Sequence, residues 1–243
     1  MRPRLFVSAL GGVLAILLCW PGALLGQEPF TLEDASAAAF HDLPDVFQKI
    51  LDPRGVRLAT TVNGQPTTVL ELWWCKDIAV AEHPGKAAKS AYGQLMPGSL
   101  LGVLHFPPDT PQDFREDFRD QKLAPGLYTL RYAQLPADAA HQDVAAFRDF
   151  LLLSPLAADT DSQPIATEEL LRLSRQASRS AHPAVLSMAP ANPAYKQLPA
   201  AIADDAGQCT LQIILHTKAG ETSRGELTVA VVVVTPKKES GES

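Results

Sequence analysis

Five chemically capable side chains fall within a short stretch of this chain: Asp138, His141, Asp143, Arg148 and Asp149. An imidazole flanked by carboxylates suits two kinds of chemistry, ligation of a divalent metal, with His141 and Asp138 as first ligands, and proton transfer. Arg148 adds a planar guanidinium fit to clamp an anionic group. The same residues also suit an ordinary hairpin loop, with Asp138 and Asp143 capping turns, Arg148 pairing with Asp149 at a strand end, and His141 in solvent. Either way they must sit on a connection between two strands.

A second candidate is the pair Trp73-Trp74. Neighbouring residues of a strand face opposite ways, so one indole enters the core and the other lies on the outer face. With Val69 beside it, Trp73 would offer a stacking platform for a sugar ring or a partner chain, unless helices or loops bury it. Elsewhere the signals are weaker. His105 precedes Pro107-Pro108 and has Asp109 and Asp113 nearby; His83 and His182 each precede a proline, and His216 has no local acid partner. The chain has no GxSxG, HExxH, P-loop or GxGxxG signature, so no cofactor is expected.

The elements that position these residues are read from alternation and turn chemistry. Val56–Val62 and Thr67–Cys75 flank Asn63-Gly64, a strong hairpin signal. Leu100–Phe106, Leu127–Ala133, Phe150–Leu153 and the stretch around Val185 read as further strands, and Cys209–Leu215 with Leu227–Val233 forms a closing hairpin. Residues 27–55 read as a helical segment opened by Thr31, and Thr167–Ser178 as an amphipathic helix with Thr167 as its N-cap. Seven or eight short strands with few, peripheral helices predict a mainly β fold: an antiparallel β-sandwich, immunoglobulin-like or jelly-roll-like, over residues 56–235 with a helical insertion near 167–178. Residues 236–243 read as a disordered tail.

Compartment and partners follow from the start of the chain and from charge. Arg2 and Arg4 precede an apolar run from Leu5 to Leu18 that Pro21-Gly22 breaks, the pattern of a secretory signal peptide over residues 1–26. No later apolar run is long enough to span a bilayer. The formal net charge is -6, which disfavours nucleic acid and anionic membrane as partners. Beyond the leader only Cys75 and Cys209 remain, with no CxxC spacing. In an oxidising compartment they form either one disulfide or two buried free thiols.

The stretch APGLYTLRY, followed by LPADAAHQDVAAFRDFLLLSP, resembles a pattern of uncharacterised exported bacterial proteins: P-G-x-Y-x-L-R-Y, Q-P-x-D-x-x-H, R-D-F-L-L. Leu135 stands between Gln134 and Pro136, displacing the middle element by one residue. The resemblance implies a family and carries no activity with it. The expectation is therefore an exported protein, periplasmic or extracellular, acting as a non-catalytic binding or structural module of the cell envelope. Its ligand would be a small molecule, a glycan or an envelope protein. A metal-dependent enzyme built on the 138–149 loop and a subunit of an envelope complex are the alternatives.

Overall fold

The structure is a computed structural model that describes residues 29–81, 90–135, 147–220 and 223–234. The expected signal peptide and the tail lie outside the described residues. The chain begins with strand β1 (Phe30–Asp34), helices α1 (Ala37–His41) and α2 (Asp45–Ile50), and strands β2 (Val56–Val62), β3 (Gln65–Trp74) and β4 (Ile78–Ala79). It continues with β5 (Leu100–Phe106), β6 (Gly126–Gln134), β7 (Asp149–Pro155), helix α3 (Thr167–Ser178), β8 (Val185–Ala189), β9 (Ala200–Ala203), β10 (Cys209–Ala219) and β11 (Ser223–Val234).

The fold is mainly β, but it is not shown as a sandwich. The eleven strands of the described residues form one sheet in the order β1-β2-β3-β5-β6-β7-β8-β11-β10-β4, with β9 also on β10, nearly closed into a barrel. Among the described residues every strand pairing is antiparallel except that of β4 with β10. Alternation fixes which side chains share a face, and it is the same whether that face meets a second sheet or curls onto itself. Here it curls. Leu70, Leu72, Leu104, Leu130, Leu151, Leu153, Leu211, Ile213, Val229 and Val231 share the inner face, all nearly or wholly buried.

Local chemistry explains the best-defined turn. Asn63 and Gly64 both have positive φ, 51° and 77°, and join Val62 to Gln65 as a two-residue hairpin loop. The N-terminal segment differs from its helical reading. Thr31 lies in β1, paired with Ala59, and the first helix is capped by Ser36, whose Oγ accepts the Ala39 N–H at 3.2 Å. At α3 the cap position is Ala166, and Thr167 is the first helical residue.

Two patches of the outer face are covered. Helices α1 and α2 bring Phe40, Leu43 and Phe47 to the sheet around Trp73. Helix α3 covers Phe150 and Leu152 of β7 with Leu170. Between these patches the connection after β7 crosses the sheet, held by Arg131. Arg131 and Asp159 are fully buried, and the guanidinium meets the carboxylate in a two-pronged pair, Nε to Oδ2 at 2.6 Å and Nη2 to Oδ1 at 2.8 Å. Its other N–H groups donate to the carbonyls of Gly98, Gln163 and Asp161, so all five donors are satisfied. Gly98 is required beneath this crossing: its φ is +84°, and a Cβ there would run into Ile165 O.

Candidate functional site

The 138–149 loop divides at the limits of the structure. Asp138, His141 and Asp143 lie outside the described residues. Arg148 and Asp149 lie within them and are used structurally. Asp149 is buried, its Oδ1 accepting the Tyr132 hydroxyl at 2.6 Å and its Oδ2 the Ala91 N–H at 3.1 Å. Arg148 donates from Nη2 to Leu135 O at 2.6 Å, and the Leu135 N–H returns to Arg148 O at 2.9 Å. The two residues therefore fasten the base of the loop; the pairing expected between them is not made.

Trp73 offers no platform. It is completely buried, with its ring 6.2 Å from that of Phe40, and the backbone of Gly55 lies on it so closely that a Cβ would strike the indole. The helices that hide it were expected, but their placement over this face is a tertiary fact. Cys75 and Cys209 are free, buried thiols rather than a disulfide, and burial pushes both up to about 12, which makes them poor nucleophiles.

His105 has a carboxylate partner on the neighbouring strand, Glu71. A row of cross-strand neighbours, Glu33, Arg57, Glu71 and His105, spans β1, β2, β3 and β5. Glu71 is buried and central: Oε1 accepts from Arg57 at 3.1 Å and from the Ser36 N–H at 2.8 Å, and Oε2 faces His105 Nδ1 at 3.0 Å. Burial pushes this carboxyl up, but the bonds from His105, Ser36 and Arg57 outweigh it and hold it below its ordinary value. Because the folded value is the lower one, the stabilisation is present above the unfolded value of about 4.3 and is lost as pH falls through the folded one. The thermal midpoint should drop as pH is lowered below about 4, and Glu71→Gln should flatten that dependence. An equally steep acid limb in the variant would remove Glu71 from this role. The row joins the cap of α1 to the sheet.

Among the described residues a concavity lies elsewhere, between α3 and the outer face. It has a volume of about 410 Å³ and is walled by α3, β6, β7, the start of β8 and the loops around Phe118 and Pro183. Periodicity places Leu170, Leu173, Ser174 and Ala177 of α3 toward the sheet, and Ser174 Oγ ties the helix to Ala184 O at 2.9 Å. Phe150 and Phe118 meet edge to face at 5.7 Å. The loop carrying Phe118 is pinned by buried Asp117, which accepts the Arg119 and Gln121 N–H groups on Oδ1 and the Val185 N–H on Oδ2. Leu135, where the loop to His141 departs, is also on the wall. Buried Phe150, Leu152, Leu170 and Val185 make the floor, while exposed Arg119, Arg175 and His182 stand at the mouth.

A second concavity of about 360 Å³ occupies the seam where the barrel fails to close, between β10 and the ends of β1 to β3. Trp74, Ile213 and Leu215 line it. Its charged rim is largely engaged already, Arg54 with Asp52 at 2.9 Å and Lys76 with Lys49 O at 2.8 Å. Among the described residues no three His, Cys, Asp or Glu side chains come together to hold a metal, and no helix is long and apolar enough to cross a membrane.

No protein-family model, curated protein or solved structure matches the chain.

Proposed function

We propose that the protein is an exported, non-catalytic binding module whose ligand occupies the cavity under α3. One observation carries the reading: this cavity is large enough for a small organic molecule and its floor is apolar, the usual make-up of a ligand site. Its walls come from a strand sheet, a helix and two hydrogen-bonded loops, so the site is preformed. Export rests on the N-terminal pattern of Arg2, Arg4 and the apolar run to Leu18.

The neutral fluorescent probe N-phenyl-1-naphthylamine tests this. It should bind at one site per chain with a rise in emission. Ala133→Phe, which places a ring into the cavity from β6, should weaken it about tenfold while leaving the thermal midpoint within a few degrees. Equal binding by the Phe variant, or none by the parent, would overturn the assignment.

A further inference from the structure

We infer that the ligand of this cavity is a single-chain amphiphile with an anionic head, a carboxylate or phosphate, held at the mouth by Arg119 and Arg175. The inference rests on the binding reading above and adds the chemistry of the ligand. The interior suits an apolar tail, because Phe118, Phe150, Leu152, Leu170, Leu171 and Val185 make most of its floor and walls, with Gln134 and Thr167 as the neutral polar side chains among them. A wholly apolar ligand would leave the mouth unexplained. The ionisable side chains lining the cavity are Arg119, Arg175 and His182, and no carboxylate lines it among the described residues.

These cations stand on held backbone. Asp117 fixes Arg119 through its N–H at 2.8 Å, and Arg175 Nε donates to Ala181 O at 2.9 Å, tying the helix to the rim loop. The rim loop is tied in turn to the loop of Arg119, since Gln121 Nε2 donates to Pro183 O at 3.1 Å. Two guanidinium groups line this one cavity, and guanidinium N–H donors match the oxygens of a carboxylate or phosphate. The chain as a whole is acidic, at -6, so this cationic mouth is a local arrangement and not a consequence of composition.

Displacement of bound N-phenyl-1-naphthylamine by four twelve-carbon compounds, each below its micelle concentration, decides the matter. Dodecanoate and dodecyl phosphate should displace it at about tenfold lower concentration than dodecanol, with dodecyltrimethylammonium weakest. Whichever anion is the stronger names the head. The paired variant Arg119→Gln with Arg175→Gln should bring both anions to the level of the alcohol and leave the alcohol unchanged. If that variant does not fold, the parent still answers, because the preference for anion over alcohol should shrink as salt is raised. Equal displacement by acid and alcohol, or a preference indifferent to salt, would overturn the head-group inference and leave the cavity a site for neutral ligands. Probe binding with no displacement by any of the four would overturn the amphiphile, and absence of probe binding would overturn the binding reading itself.

Discussion

Asp159→Ala is expected to lower folding stability by about 3–5 kcal/mol, the range for breaking a buried ion pair from one side. Arg131 has no exposed side-chain surface, so removing Asp159 leaves a cation facing three carbonyls with no counter-charge. Thr129 also loses an acceptor, since its hydroxyl donates to Asp159 Oδ2 at 2.5 Å. The pair Arg131→Met with Asp159→Leu should recover much of the loss, because an apolar replacement of both partners removes the desolvation penalty together with the attraction. Urea unfolding of the three proteins measures this. A loss below about 1 kcal/mol in the single variant, the scale of an exposed pair, would mean that water reaches the guanidinium.

Trp73→Ala should cost a similar amount, about 3–5 kcal/mol. The indole is fully buried between the sheet and α1, and the close approach of the Gly55 backbone leaves the neighbourhood little freedom to collapse into the space. Trp73→Phe, which retains most of the packing, should cost less. The variant also separates two roles for this residue. A surface platform would lose ligand binding and keep its stability, whereas a packed core residue loses stability and leaves the probe in the α3 cavity unaffected. A thermal midpoint unchanged in Trp73→Ala would contradict the burial described above.

The parts of this fold that were legible in the sequence are those decided locally. Asn63-Gly64 demands positive φ at two positions and so announces its hairpin, and Leu170, Leu171, Ser174 and Ala177 recur at helical spacing. What was not legible depends on neighbours distant in the chain. The alternation of Leu127, Thr129 and Arg131 marks a polar face, yet nothing in those residues says that the segment from Asp159 to Gln163 will cover it; that segment reads as a polar linker. Strand β1 is not legible because Thr-Leu-Glu-Asp is as compatible with a helix start as with an edge strand, and only pairing with β2 decides. The candidate cavity was half visible. The apolar stripe of α3 points to a covered face, but the Phe118-Arg119 loop, Phe150 of β7 and α3 itself meet there only through the folding of three separate segments.

The order of strands sets when the protein can become native. From β1 to β8 the sheet grows by adding later strands at one side, but β8 is joined next by β11, the last strand, while β10 lies beyond it. The Tyr92 hydroxyl spans this join, accepting the Ala230 N–H at 3.0 Å and donating to Ala189 O at 2.5 Å. A nascent chain short of about residue 230 therefore carries a sheet whose β8 edge is unpaired. Completion requires contacts across more than a hundred residues, which places folding among the slow, non-local cases. In a chain of this topology the hairpin that is last in sequence is also the one whose arrival closes the gap beside β8.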